Sequence, residues 1–388
     1  MIKRDAGRTL DLYLKTFPVT LVAGPRQSGK TTLVKSRLAA WKFFDLERGA
    51  DNAAVSFDVE GFLEANPSRV IIDEAQKLPE LFSALRAAVD KDRRPGRYVL
   101  TGSASPSLIK GVSESLAGRI GILELAPFGA SELLDLPAQA AGRWFWGGYP
   151  PLYHLRSARQ KAEWLEAYIS TFVERDIPSL GFSIPSSRFR KFLYMLAHVH
   201  GGILNVMDLA RSMAVSQHTV EHYLDILEGA FIIRRLQPYF ANIGKRLVKS
   251  PKLYIRDSGL FNYLAGLRKP AELELFPRRG SSWEGLVVEE IARLAALKYA
   301  KPGVYYWRTH GGAEADVIIE AGLEKTAIEI KPGRTVKSES LAGLKSCMAD
   351  LKIKKAAVIY TGEQLINLGG GLKLVPWPEF LKHHALYL

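Results

Sequence analysis

The chain of 388 residues is 47% hydrophobic and carries 53 Lys and Arg against 40 Asp and Glu, a formal net charge of +13. That length and apolar content suit a multidomain protein with two or three cores, and the basic balance favours an anionic partner such as a nucleotide or nucleic acid. One cysteine, Cys347, excludes an internal disulfide framework and a Cys-rich zinc site, and without a signal-peptide core or an apolar run of about 18 residues a cytoplasmic protein with no membrane span is expected.

From Val19 to Val22 an apolar run predicts a buried strand that leads into GPRQSGKT at Gly24–Thr31, the G-x-x-x-x-G-K-[ST] pattern in its strand, loop and helix context. Glycines in such a loop let successive backbone N–H groups converge on phosphate, and the following helix adds the positive end of its dipole. Gly24, Pro25, Arg26, Gln27, Ser28, Gly29, Lys30, Thr31 and Thr32 are therefore the expected ATP-binding set. Within it Lys30 is expected to reach the β- and γ-phosphates and Thr31 to offer its hydroxyl to Mg²⁺.

A second buried strand is expected at Val70, Ile71 and Ile72, ending in Asp73 and Glu74. Parallel sheets expose their chemistry at the carboxyl ends of the strands. Asp73 is thus expected to hold Mg²⁺ through water, and Glu74 to orient or deprotonate the water that attacks in hydrolysis. The plainer reading, two acids opening a helix, explains the charge but not its coincidence with the P-loop. Further on, RYVLTGSASPSL predicts another strand, where Thr101 or Ser103 either senses the γ-phosphate or forms an ordinary turn. Arg119, in SESLAGRIGILEL, reads as an arginine finger or phosphate sensor, or equally as half of a structural ion pair.

The Gly-Gly and Pro-Pro pairs of GRWFWGGYPPLYH mark a boundary near residue 150. A helix from about Ala158 to Asp176 follows, with Trp164, Tyr168, Ile169 and Phe172 at packing spacing. Between Phe189 and Leu236 the pattern is that of a winged helix-turn-helix. Asn205 or Asp208 caps one helix; Gln217, His218 and Glu221 face outward on the next, and Val220, Leu224 and Leu227 face the core. Glu221, Asp225 and Glu228 would repel phosphate, whereas Arg234, Arg235, Lys245, Arg246 and Lys249 in the wing would attract it. A DNA-contacting module and an interdomain or oligomer scaffold both stay open. His198, His200 and His222 lack acidic or thiol partners in register for zinc.

Toward the C-terminus an amphipathic helix from SSWEGLVVEEIARLAAL precedes three short strands in GVYYWRTHGGAEADVIIEAGLEKTAIEIK, then a helix through SESLAGLKSCMADL and a strand AAVIYTG. Period two puts Glu329 and Lys331 on one strand face and Ile328 and Ile330 on the other. Asp316 begins the preceding strand. Glu284 shares a helical stripe with Val287, Val288 and Ile291, where an acid is costly unless paired or metal-bound. Glu289, beside Arg293, is expected to be solvated. Two or three carboxylates that hold Mg²⁺ and a lysine that steers water are the equipment of metal-dependent phosphodiester cleavage. Glu284, Asp316, Glu329 and Lys331 therefore form a candidate nuclease-like site, although Glu-x-Lys on a strand is also an ordinary salt pair.

The segments GPRQSGKTTL, IIDEAQK, LTGSASPSL, SLAGRI, GAEADVIIE and AIEIK together resemble the prokaryotic AAA-family ATPases that join an N-terminal P-loop domain to a C-terminal domain of unassigned function. The resemblance covers nearly the whole chain. Its last part, helix, three-stranded meander, helix and strand, resembles the restriction-endonuclease-like, PD-(D/E)xK fold. What the resemblance implies is an α/β protein with a AAA-type P-loop ATPase domain over 1–150, a helical and winged-helix region over 151–275 and a restriction-endonuclease-like domain over 276–388. It also implies ATP and Mg²⁺ as ligands and ATP hydrolysis as the reaction. Two roles follow for the C-terminal half: a DNA-binding or DNA-cleaving effector under nucleotide control, or a non-catalytic platform for protein or DNA in an ATP-dependent switch. No pore-loop motif is present, and oligomeric state is open.

Overall fold

The computed structural model describes residues 2–103, 115–179, 182, 184–240 and 247–388. The chain divides into two units, Met1–Phe128 with Tyr149–Pro151 and Tyr223–Ile232, and Gly129–Gly148 with Leu152–His222 and Ile233–Leu388.

In the first unit five short runs pair side by side: β1 (Val19–Gly24), β2 (Lys42–Asp45), β3 (Val70–Asp73), β4 (Tyr98–Ser103) and β5 (Ile120–Glu124). Their order is β2-β3-β4-β1-β5 and every pairing is parallel. Helices cover a parallel sheet on both faces, so its inner strands are apolar throughout rather than alternating; β1 and β3 are buried at every position. The helix Glu80–Lys91 turns Leu81, Leu85 and Val89 onto Val70, Ile72, Tyr98 and Leu100. Because the strands run the same way, the ends of β1, β3 and β4 fall on one edge. That edge carries the P-loop, Asp73, Glu74 and Thr101.

In the second unit the helix Ala158–Thr171 opens with a capping box between Ser157 and Gln160. It continues as a wider π-type turn over Phe172–Asp176. Helices Val206–Met213 and Gln217–Gly229, the latter passing from the second unit into the first at Tyr223, are joined through Ala214, whose φ of 52° lets the chain reverse tightly. Asn205 caps the first of them by accepting the Asp208 N–H at 3.2 Å. Val220, Leu224 and Leu227 are buried, and Gln217, His218 and Glu221 are exposed. Strands β6 (Ile233–Leu236) and β7 (Lys252–Ile255) then pair antiparallel. Lys245 and Arg246 lie outside the described residues, as does the side chain of Ser103.

The rest of the second unit is a six-stranded sheet of β8 (Gly303–Arg308), β9 (Glu314–Ala321), β10 (Glu324–Lys331), β11 (Lys355–Tyr360), β12 (Ile366–Gly369) and β13 (Leu372–Pro376). The order is β12-β13-β11-β10-β9-β8. Strands β8 to β10 form an antiparallel meander, and β11 runs parallel to both β10 and β13. The helix Arg279–Lys298 lays Val287, Ile291 and Leu294 on Val317, Ile328 and Ile330. On the other face the helix Ala342–Asp350 sets Leu344 and Cys347 against Ala327 and Val358. Burial pushes the Cys347 thiol up to about 12, so it serves as a small apolar side chain. The sheet extends two strands past the expected meander and strand.

Candidate functional site

The geometry of the P-loop follows from close approaches. A Cβ on Gly24 would lie 2.2 Å from the Leu125 carbonyl oxygen, so β1 can end in the loop only with glycine. Gln27 and Gly29 take left-handed φ values of 59° and 94°. Lys30 Nζ, buried, donates to the carbonyls of Gly24 at 3.1 Å and Pro25 at 2.9 Å. Burial lowers its pKa to about 8, against the opposing pull of Glu74 and Asp73. The Ser28 hydroxyl is buried without a hydrogen-bond partner among the described residues. Arg4 braces the loop from below: one guanidinium nitrogen donates to Ser28 O at 2.8 Å, another to Ala126 O, and the group lies over the Phe128 ring.

Strand β4 lies between β1 and β3, and this brings Thr101 to Asp73. The Asp73 carboxylate is buried and accepts from Thr31 Oγ1 at 2.8 Å on one oxygen and from Thr101 Oγ1 on the other. Burial raises its pKa; the Thr31 bond works against that, while Glu74 and Asp45 add repulsion. Glu74 follows at φ 55° and accepts from the Gln76 amide. A hydroxyl and a carboxylate in contact beside a phosphate-type loop match what Mg²⁺ takes from a protein when phosphates and water complete its octahedron. Thr31 and Asp73 therefore fit the ion.

Arg119 is not part of this constellation. Its guanidinium is bound to Asp90, with Nε to Oδ1 and Nη2 to Oδ2 both at 2.9 Å. Its carbonyl accepts from Val19 N at the start of β1, whereas the loop leaves the far end of that strand. At about 3.3 Å per residue the two ends are roughly 16 Å apart. Of the readings open for Arg119, arginine finger, phosphate sensor or structural ion pair, its contacts match the ion pair, and it does not reach the P-loop as a sensor for the chain's own nucleotide.

In the second unit the four nuclease-type residues do come together. Glu284, on the helix Arg279–Lys298, accepts from the Tyr254 hydroxyl at 2.5 Å. Asp316 stands where the β9–β10 ladder ends at Val317 and Ile328, and its Oδ2 takes the Ile330 N–H at 2.8 Å. Glu329 accepts from Lys331 Nζ at 2.6 Å through one oxygen, and its other oxygen is buried with no hydrogen-bond partner among the described residues. Burial first, then repulsion from Glu329 and Glu284, push the Asp316 carboxyl well above the carboxylate range. Burial likewise raises Glu329 against the pull of Lys331.

At the centre of the cluster is a residue that the sequence reading passed over. Lys252, on β7, is 3% exposed. Its Nζ lies 2.9 Å from Glu284 Oε1, 2.5 Å from Glu314 Oε1 and 3.6 Å from Asp316 Oδ1. Glu314 was also missed, and its second oxygen pairs with Arg308 at 3.2 Å. Among the described residues no group of three or more His, Cys, Asp or Glu is arranged to hold a metal ion. The carboxylates are gathered around an ammonium, so the residues of this pocket do not fit Mg²⁺. The available signal was alternation in KLYI, which puts Lys252 and Tyr254 on one face of a strand whose other face, Leu253 and Ile255, is core.

Family descriptions match three segments: an AAA domain over residues 16–134, a domain of unknown function (DUF8612) over 138–271 and a domain of unknown function (DUF4143) over 279–380. Across 382 residues the chain is 41% identical to the uncharacterized protein Rv2008c of Mycobacterium tuberculosis, covering 98% of this chain and 84% of that one. The uncharacterized protein Mb2031c of Mycobacterium bovis matches to the same extent. The chain belongs to the family of these two uncharacterized proteins, and its residues 16–134 match an AAA domain. Among solved structures, the Walker-type ATPase PABY2304 of Pyrococcus abyssi is similar over 68% of this chain and 96% of its own, at 18% identity and a TM-score of 0.49.

Two further expectations from the sequence differ in the structure. Glu289 is buried rather than solvated: Arg234 and Arg256 clasp it, with Arg256 Nε 2.9 Å from Oε2. Glu290, its neighbour, pairs with Arg293 and accepts the N–H groups of Ala130 and Ser131. Arg234 and Arg235, expected to attract phosphate, are paired with Glu289 and Glu221. His200 is a core residue; Nδ1 accepts from Ile255 N, the ring stacks on Phe261, and burial lowers its pKa to about 3. Among the described residues no helix is long and apolar enough to cross a membrane.

Proposed function

We propose that the protein is an ATP-dependent switch: it binds and hydrolyses ATP at the P-loop, and its C-terminal half is a non-catalytic platform whose engagement follows the nucleotide state. The observation that carries the ATPase half is the chain Thr31–Asp73–Thr101 beside the buried Lys30. Each group has a task there. With nucleotide bound, Lys30 would exchange the carbonyls of Gly24 and Pro25 for β- and γ-phosphate oxygens. Thr31 and Asp73 would hold Mg²⁺, which neutralises charge on the phosphates as the γ-phosphoryl group leaves. Glu74, next to Asp73, would orient the attacking water and take its proton.

A protein partner is favoured for the platform, because Arg234 and Arg235 are already engaged by carboxylates and the exposed side of the helix Gln217–Gly229 carries Glu221 and Asp225. The net charge of +13 supports DNA as the second reading.

Lys30→Ala is expected to abolish ATP turnover while circular dichroism stays as in the wild type. Undiminished turnover in that variant would remove the assignment.

A further inference from the structure

The pocket formed by β7, β9, β10 and the helix Arg279–Lys298 looks built for a cation, and it already contains one. Lys252 Nζ takes one oxygen each from Glu284 and Glu314 and faces Asp316, while Tyr254 donates to the same oxygen of Glu284. A hard divalent ion would need these same oxygens at about 2.0–2.6 Å. At that range it would sit against Nζ, and two adjacent cations in a buried site repel strongly. The local charges are also nearly closed without a metal. Glu284, Glu314, Asp316 and Glu329 face Lys252, Lys331 and Arg308, so an additional double charge would exceed what the carboxylates can offset.

We propose that Lys252 is the resident cation of this pocket and stands in the position a divalent ion would hold, so that the domain is a metal-free binding module rather than a metal-dependent nuclease. The position on β7 is what makes this possible. Strand alternation points Lys252 and Tyr254 to the same side, and the pair meets Glu284 from across the cluster. The tethered ammonium does what the ion does in a metal site, holding acids from two separate elements, the helix Arg279–Lys298 and β9, together, but it has no open coordination position at which water could be activated. This inference deepens the platform reading and is independent of the ATPase half, whose turnover is measured separately.

The test is Mn²⁺ binding to the full-length, nucleotide-free protein, read by the electron paramagnetic resonance signal of free Mn²⁺ and by thermal melting. Wild type and Asp316→Asn should bind Mn²⁺ alike, any shared background arising elsewhere. Lys252→Met should gain a site at least tenfold tighter than that background, and Mn²⁺ should raise its melting temperature; Lys252→Met/Asp316→Asn should lose both effects. Wild-type Mn²⁺ binding that Asp316→Asn removes would overturn the proposal, as would a folded Lys252→Met with no new site. Should Lys252→Met not fold in EDTA, refolding in Mn²⁺ supports the proposal, and failure to refold there counts against it. ATP turnover by Lys252→Met separates these outcomes from any failure of the P-loop assignment.

Discussion

Lys30 has two partners in prospect and only one at a time. Its ammonium rests on the carbonyls of Gly24 and Pro25, and burial holds its pKa near 8, below the ordinary 10.5. The sign follows directly: from about pH 8 to 10.5 the unfolded chain keeps a proton that the folded one has lost, so this group makes stability rise with pH in that window. Phosphate oxygens favour the charged form. ATP binding at pH 9 should therefore take up a proton, a fraction approaching one, and at pH 6.5 this group should take up none. Calorimetry in two buffers of different ionisation enthalpy reads the difference directly. Uptake at pH 9 that persists in Lys30→Met would show that another group titrates.

At the scale of elements, Glu289 fastens β6 and β7 to the helix Arg279–Lys298 through Arg234 and Arg256. Burial alone would raise its pKa, but the two guanidinium groups outweigh burial and hold it at about 2. Glu289→Gln removes the counter-charge from both and should cost about 3–5 kcal/mol in chemical denaturation. The wild-type advantage should be complete above about pH 4.5 and fade as pH falls toward 2, since a depressed carboxyl stabilises only while ionised. An unchanged difference at low pH would assign the loss to packing instead. The same network marks the limit of what local patterns reveal. The P-loop, the apolar run ending in Asp73 and the Glu284 stripe were legible because strand and helix periodicities act within a few residues. Glu289 was misread because its partners lie on β6 and just past the end of β7, more than thirty residues upstream. Lys252 was missed for the same reason: only the tertiary approach of β7 to β9 gives that lysine its carboxylates. For Arg119 the finger, sensor and ion-pair readings stayed open because the strand end on which it falls depended on where β5 begins.

For the whole molecule, the excess of +13 predicts some attraction to DNA whatever the fold does with it. The described side chains give little sign of base reading. The exposed face of the helix Gln217–Gly229 mixes Gln217 and His218 with Glu221 and Asp225, and Arg235 is tied to Glu221. Affinity for duplex DNA should therefore be weak, be equal for unrelated sequences and fall steeply with salt, because released counterions supply the free energy. Fluorescence anisotropy between 50 and 200 mM salt, roughly the range over which such contacts lose several orders of magnitude, gives the slope. His218→Ala and Gln217→Ala should leave both slope and affinity unchanged, since neither side chain is assigned a phosphate or base contact. Sequence-selective binding that either substitution abolishes would instead make the helix Gln217–Gly229 a recognition helix and DNA the partner of the switch. Weak, sequence-blind binding leaves a protein partner as the reading that the acidic helix face and the lysine-filled pocket both favour.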